Sequence, residues 1–429
     1  MPHSDLLDEL AWRGLIHDST DLTQLREHLD SGQRRFYVGF DPTAPSLTIG
    51  NLLPMLLVIR AARAGLDAVV LLGGGTGLIG DPSGKSAERK LLPAGEARDN
   101  VARHRALMEP IFARALTAGQ LPRFVDNVDW LGELKLIEFL RDVGKHFPMG
   151  EMIRRDSVRR RLAEADEGIS YTEFSYALLQ AYDFMRLAAD HGVTMQFGAS
   201  DQWGNIVAGI DFVRRSLRTP VYGLTCPLLL RTDGTKFGKS EQGAVWISAD
   251  RTSPYQLYQF LINLADDEAR TFALYYSLES REVLEKLFAE HGGQPARRDL
   301  QRHLARELTT LVHGADECAR AEAASRALFT GDVRGLDRRL LDQVFADVPS
   351  AKLDRARLDG AGLAPVDLLV ETGLASSRRQ AREFLDGGAV SVNGDPVGQD
   401  TAVTAADLLH GALLLVRRGR REWRVVRFD

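Results

Sequence analysis

The sequence predicts an α/β fold built on a parallel sheet, followed by a helical stretch and a compact mixed tail. Three observations carry this. Two short apolar runs, Arg35–Phe40 and Asp67–Leu72, flank one helical run with short joints, the pattern of a parallel strand–helix–strand unit. Residues 254 to about 345 show helical periodicity almost throughout and are rich in Arg, Glu and Ala. Residues 366–429 read as helix, helix, strands. At about 150 residues per domain, 429 residues make room for two to four domains.

Taken in order, Arg35–Phe40 is β-prone and opens into a Pro- and Thr-rich loop, residues 41–50. The next run, Asn51–Ala64, is predicted to be a buried helix capped by Asn51, with Pro54 in its first turn and Gly65 as its stop. Asp67–Leu72 ends in three glycines, Gly73 to Gly75. In such a unit the loops after both strands share one sheet edge, and ligands sit outside the carboxyl ends of the strands. Glu96–Ala165 is mostly helical in pattern, and Thr172–Ala189 is a further amphipathic helix. Val193–Phe197 is a strand, followed by Gly198-Ala199-Ser200-Asp201 and a helix to about Arg215. Cys226–Leu230 is another strand, Asp233-Gly234 a turn, and Lys236–Ser240 a loop. Val348–Pro365 is expected to be a linker, and no internal repeat is found.

Composition narrows the function classes. Apolar residues at 44% and charged residues at 26% are ordinary for a globular protein and exclude collagen-like, coiled-coil or wholly disordered chains. No apolar run approaches the roughly 18 residues of a membrane span, so no membrane partner is expected. Met1–Glu9 lacks a basic-then-apolar targeting pattern. Two cysteines, Cys226 and Cys318, cannot build a disulfide framework or a thiol-rich metal site. A reduced, cytoplasmic protein without a metal centre is expected. A net charge of −5 means that a nucleic-acid partner would need local basic patches.

Several motifs are weak singly. Gly75-Thr76-Gly77-Leu78-Ile79-Gly80 matches a dinucleotide fingerprint, but Asp81-Pro82 follows where a helix should start. Gly80 to Ser86 is one residue short of a phosphate-binding loop. Both are set aside as a glycine-rich turn that leaves Asp81, Lys85 and Arg89 at the ligand edge. Tyr176, Gln180 and Asp183, spaced i, i+4, i+7, share one helix face; a solvated stripe is the plainer explanation. Lys236 and Lys239 bracket a glycine, as suits polyphosphate but also many surface loops.

In sequence, the motifs join. Tyr37-Val-Gly39-Phe-Asp41-Pro-Thr43 with Thr48-Ile-Gly50-Asn51, Gly80-Asp81-Pro-Ser-Gly84-Lys85, Tyr176 to Asp183, Gly198-Ala-Ser-Asp201-Gln202-Trp-Gly-Asn205 and Lys236-Phe-Gly-Lys239-Ser240 occur in this order. Together they resemble the bacterial tyrosyl-tRNA synthetases, class I aminoacyl-tRNA synthetases, over essentially the whole chain. The resemblance implies a Rossmann-like catalytic domain at 1–248 with a helical insertion around 96–190. It implies an α-helical anticodon-region domain at 249–347, a linker at 348–365 and an S4-like RNA-binding domain at 366–429. It also implies a tyrosine–tRNA ligase reaction: ATP activates L-tyrosine to tyrosyl-adenylate and pyrophosphate, and tyrosine passes to the 3′-terminal adenosine of tRNA(Tyr). ATP, with Mg²⁺, is then a substrate; no tightly bound cofactor is expected, and a homodimer is.

Site roles follow residue by residue from the same resemblance. Tyr37 and Asp183 would hold the substrate phenol. Asp81, Tyr176 and Gln180 would hold its ammonium group, with Thr76, Asn127 and Gln196 lining the pocket. Gly39, Asp41, Gly50, Asp201, Gln202 and Lys239 would contact ATP or the adenylate. Thr43, Thr48, Asn51, Lys85, Arg89, Lys236, Lys239 and Ser240 would carry the chemistry around the leaving pyrophosphate. Arg154 and Arg155, in a cluster continued by Arg159 to Arg161, would approach the tRNA acceptor end. Arg378, Arg379 and Arg382 in the tail would meet RNA; the tail's nine arginines balance nine acids, and a second group runs from Arg417 to Arg427.

Two departures stand out. The family's first signature usually carries H-I-G-H or H-I-G-N; here it is Thr48-Ile-Gly50-Asn51, with no imidazole. Thr48 and Asn51 keep neutral donors, weaker than charge-assisted ones. Ala199 replaces a frequent glycine and adds one methyl near the expected ribose. Two other functions compete: a tryptophan-activating relative, disfavoured because an indole N–H is donor only, and an RNA-binding regulator that has lost activity, favoured by the missing histidines.

Overall fold

The computed structural model describes residues 3, 5–32, 34–83, 91–154, 158–159, 162, 168–228, 239–240, 243–346, 348–419 and 422–429. The chain packs as two compact units, one of residues 1–252 and 261–312, the other of 253–260 and 313–429. Among the described residues no helix is long and apolar enough to cross a membrane.

The first unit is organised by a six-stranded sheet. Its strands are β1 (Asp18–Ser19), β2 (Arg35–Phe40), β3 (Asp67–Leu72), β4 (Arg123–Asp126), β5 (Met195–Ala199) and β6 (Tyr222–Cys226). The order across the sheet is β1-β6-β5-β2-β3-β4. All neighbours are parallel except the antiparallel edge pair β1–β6. The chain therefore proceeds outward from β2 in one direction through β3 and β4, and in the other through β5 and β6. The switch point lies between β2 and β5, where open α/β sheets bind ligands. The central strands are almost wholly buried: Phe36, Tyr37 and Val38 on β2, and Val69 to Leu72 on β3.

Four helices frame this edge: α1 (Ile49–Arg63), α2 (Ala94–Ala115), α3 (Tyr171–His191) and α4 (Trp203–Leu217). α1 starts two residues before the expected position. Thr48, not Asn51, is its cap, because Asn51 in the first turn accepts the Thr48 backbone N–H at 2.9 Å. That closes half of a capping box and settles a donor that would otherwise be orphaned. A later helix, Asp266–Tyr276, has its carboxyl end gripped by two buried guanidiniums. Arg13 donates to the carbonyls of Leu274 and Ser277, and Arg60 to those of Tyr275 and Ser277, at 2.8–3.0 Å. Cations suit that end of a helix. The grip sets Tyr276, whose hydroxyl donates to the Ile49 carbonyl at the head of α1 (3.1 Å).

Some expectations needed correction. β4 falls inside the stretch predicted to be helical; it is a four-residue edge strand with no fully buried position, so it leaves no alternation to detect. β6 ends at Cys226, where the prediction had a strand begin, because Pro227 has no N–H to continue the ladder. Beyond it come β7 (Lys239–Ser240) and β8 (Gly243–Ala244), an antiparallel pair.

The second unit corrects the linker. Ser350–Leu353 forms β9, which pairs in parallel with β13 (Glu422–Phe428), the last strand. With β10 (Val390–Val392), β11 (Asp395–Pro396) and β12 (Leu413–Arg418) they make one sheet, ordered β11-β10-β12-β13-β9. Leu358 and Leu363 are core residues beneath it, with Leu368, Leu385, Val426 and Phe428. The segment reads as a linker because its apolar residues are sparse; its partner strand lies 70 residues away in sequence, out of reach of any local pattern. The expected helical domain at 249–347 is likewise divided, since its last helices, Ala315–Thr330 and Arg338–Val344, belong to the same unit as the tail. Leu363→Ala should destabilise this unit by about 2–5 kcal/mol, the range for a buried leucine. Denaturation followed at Trp423 measures it; a change within about 0.5 kcal/mol would restore the linker assignment.

Candidate active site

At the switch point a cleft of about 360 Å³ opens at the carboxyl edge of the sheet. Its floor is set by β2, β5 and α3. Tyr37 comes from β2, Gln196 from β5, and Tyr176, Gln180 and Asp183 from one face of α3. The stripe on α3 thus faces a cleft rather than open solvent.

Asp183 is the deepest charged group, at 1% exposure. Asn127 Nδ2 donates to one of its carboxylate oxygens (2.9 Å) and Trp130 Nε1 to the other (2.7 Å). Asn127 is aligned in turn by the glycine turn after β3, its Oδ1 accepting from Gly75 N and its Nδ2 donating to Thr76 Oγ1. Burial pushes the Asp183 carboxyl up to about 8; the two donors pull it down, and the charges of Asp41 and Asp126 raise it further. Tyr37 Oη, also buried, has no hydrogen-bond partner among the described residues. Burial and the charge of Asp183 hold its phenol well above its ordinary value, so it remains a donor. A buried polar atom without a partner is unfavourable. Here it lies on a cleft floor, as do Gln180 Oε1 and Gln196 Oε1, equally without partners.

A second polar chain runs along the cleft wall. Tyr176 Oη donates to Asp41 Oδ2 and Thr76 Oγ1 to Asp41 Oδ1, both at 2.7 Å. Gly73 makes the approach possible: a Cβ there would overlap the Asp41 carboxylate. Gln202 Nε2 donates to Asp81 Oδ2 (2.6 Å), and Asn205 Nδ2 lies 3.5 Å from Asp81 Oδ1. The described lining thus carries four carboxylates, Asp41, Asp81, Asp183 and Asp201, and no lysine or arginine. Such a wall favours an ammonium group.

The mouth of the cleft holds Gly39, Thr43, Thr48, Gly50, Asn51 and Ala199. Thr48 differs from expectation as a donor: its hydroxyl turns inward to Asn51 Oδ1 (2.9 Å), which leaves the Asn51 amide as the donor of the pair. Lys85, Arg89 and Lys236 lie outside the described residues, as do the side chains of Lys239 and Ser240. Arg155 also lies outside them, and Arg154 is exposed after a short helix, Met149–Ile153. Arg378, Arg379 and Arg382 are exposed on the helix Arg378–Asp386. Arg378 pairs with Asp367 and Arg379 with Glu383, surface contacts worth little. By contrast Arg418, Arg424 and Arg427 of the second tail group bond within their unit, to Leu374 O, Thr372 O and Asp342.

Trp130 and Tyr276 were missed from sequence. Trp130 stands on a four-residue helix with no periodicity, and Tyr276 comes from a helix that begins 75 residues after the end of α3; neither leaves a local signal. Asn205 was inside a quoted motif but carried no role until its contacts with Asp81 and Ser83 were visible.

The fold agrees with what the chain is similar to. The family described as tRNA synthetases class I (W and Y) matches residues 30–330, and the tyrosine–tRNA ligase SYY-like C-terminal domain matches residues 341–426. The chain belongs to the class I tRNA synthetases of the tryptophan and tyrosine type. Within that family its full-length likeness is to tyrosine–tRNA ligases. The one from Opitutus terrae is 45% identical over 98% of this chain and 99% of its own. That of Aeromonas hydrophila is 45% identical over 99% and 98%. Among solved structures, a C-terminally truncated mitochondrial tyrosyl-tRNA synthetase from Aspergillus nidulans matches with a TM-score of 0.68 at 30% identity, covering 76% of this chain and 94% of that one.

The raised carboxyl of Asp183 has a pH signature. Unfolded, it ionises near 4; folded and empty, near 8. Folding therefore favours its neutral form, and the stability it contributes falls as pH rises from about 4 to about 8, then levels off. Asp183→Asn should lose less stability than the natural chain between pH 5 and pH 8 in denaturant melts. Equal losses in the two proteins would place the carboxyl at its ordinary value.

Proposed function

We propose that the cleft is the tyrosine-activating site of a tyrosine–tRNA ligase, and the observation that carries this is the pairing of Asp183 with an unpartnered Tyr37 hydroxyl. A phenol entering the floor donates to Asp183 and accepts from Tyr37, which resolves both groups at once. An indole N–H donates but cannot accept, so the floor suits tyrosine better than tryptophan. Asp81, Tyr176 and Gln180 take the ammonium group, with Thr76, Asn127 and Gln196 completing the pocket.

The reaction is that of an aminoacyl-tRNA ligase. The tyrosine carboxylate attacks the α-phosphorus of ATP, pyrophosphate leaves, and the tRNA 3′-terminal adenosine then takes the tyrosyl group from the adenylate. The protein's contribution is positioning and charge stabilisation. Gly39, Asp41, Gly50, Asp201 and Gln202 hold the nucleotide. An acidic wall repels polyphosphate, so Mg²⁺ together with Thr43, Asn51, Lys85, Arg89, Lys236, Lys239 and Ser240 offsets its charge; Thr48 acts through Asn51. Arg154, Arg155, Arg378, Arg379 and Arg382 meet RNA phosphates, and residues 366–429 supply an S4-like RNA-binding surface.

A homodimer is part of this proposal. It is supported by six apolar side chains exposed within residues 128–153, Leu136 and Ile137 at about 70% exposure among them. A cytoplasmic location follows from the substrates, tRNA and ATP.

ATP–pyrophosphate exchange with each amino acid tests the central reading: tyrosine alone should support it. Exchange with tryptophan, or none at all, would favour the competing functions. Tyr37→Phe should narrow the preference for tyrosine over phenylalanine by about 1–3 kcal/mol, since one buried partner of the hydroxyl is removed; an unchanged ratio would place the phenol elsewhere. Replacing Arg378, Arg379 and Arg382 together by Gln should weaken tRNA charging and flatten its salt dependence while leaving exchange intact. Unaltered charging would move RNA recognition away from that helix.

A further inference from the structure

The loop between β2 and α1 carries Asp41 and Thr43 into the cleft, yet it has no regular structure of its own. Pro42 is buried while Thr43 is exposed, so the chain turns Thr43 outward between two anchored neighbours. The anchors come from α2. Asn100 Nδ2 donates to the Pro42 carbonyl at 3.1 Å, and His104 Nε2 lies 2.8 Å from the Ala44 carbonyl. The two carbonyls are those on either side of Thr43. Asn100 and His104 are spaced i, i+4 on one face of α2, and each is 1% exposed. A carbonyl can only accept, so His104 holds its proton on Nε2, and its buried Nδ1 has no partner. Burial lowers the imidazole's proton affinity, which keeps it in this neutral, singly donating form. The Pro42 ring also packs on Gly77, where a Cβ would come within 2.7 Å of it.

We propose that Asn100 and His104 are positioning residues for adenylate formation. They fix the backbone on both sides of Thr43, and through it the place where Thr43 meets the leaving pyrophosphate. This rests on the assignment of Thr43 to the pyrophosphate made above. Neither side chain lines the cleft, so neither touches substrate; their effect passes through the loop. Asn100 and His104 make their hydrogen bonds to the loop and not to Tyr37, Asp183 or Gln196 of the tyrosine floor.

The test is a double-substitution series in the full chain, read by pyrophosphate exchange and by equilibrium tyrosine binding. His104→Ala should lower kcat about tenfold or more, the scale of loss expected from small misplacement of a reacting group, with tyrosine affinity unchanged within twofold. His104→Gln, which can place an amide N–H near the ring Nε2, should recover most of the loss. Asn100→Ala should show the same split and serves if His104→Ala fails to fold. On a Thr43→Ala background His104→Ala should add little, because the group it positions is gone. A full additional loss on that background, failure of Gln to rescue, or an equal fall in tyrosine binding would each overturn the proposal. If Thr43→Ala alone leaves exchange unchanged, the assignment of Thr43 is what fails, and the proposal fails with it.

Discussion

Asp183 is a carboxylate placed where a charge is least favourable, at the bottom of a cleft in the middle of a protein. Much of the first unit is arranged around making that tolerable. Isolated, such a group would be strongly disfavoured. Asn127 and Trp130 each give one oxygen a donor, and Asn127 is itself oriented by the glycine turn after β3. The turn, the short helix carrying Trp130 and the edge strand β4 that precedes it thus form a bracket for one side chain. What the bracket leaves over is acceptor capacity on the same cleft lining as Tyr37, whose hydroxyl has no partner among the described residues. The pocket floor is polar by construction, and in the proposed reaction a substrate hydroxyl would complete it.

The same logic explains why the wall is acidic while the reaction handles an anion. Asp41, Asp81 and Asp183 are held by Tyr176, Thr76, Gln202, Asn127 and Trp130, all neutral donors. The described lining itself includes no lysine or arginine. An amino acid's ammonium group is thereby favoured at one end. In the proposed reaction the countercharge for phosphate comes from Mg²⁺ with the nucleotide and from Lys85, Arg89, Lys236 and Lys239.

Much of this was legible in the sequence because the relevant signals are local. The β2–α1–β3 unit announced itself through two apolar runs and a short joint. The polar stripe on α3 was visible as spacing, although only its partners on β2 and β5 could show that it faces a ligand. What escaped depends on distant pairing. β9 looked like linker because its partner is the last strand of the chain. Trp130 is informative only once Asp183 is seen beside it. The cap of α1 was misplaced for a subtler reason: Thr48 and Asn51 are both good capping residues, and only the geometry shows Asn51 Oδ1 accepting from Thr48. That arrangement also leaves the Asn51 amide as the donor of the pair.

The most direct test of this account is the ionisation of Asp183 itself, followed by carbon NMR of its labelled carboxyl in the empty protein and with each amino acid. The account predicts titration near 8 in the empty site. It predicts a fall when tyrosine binds, because a phenolic O–H donating to the carboxylate favours the charged form. Phenylalanine, which fills the same space without a donor, should produce no fall. An Asp183 that titrates near 4 in the empty protein, or responds alike to tyrosine and phenylalanine, would contradict it.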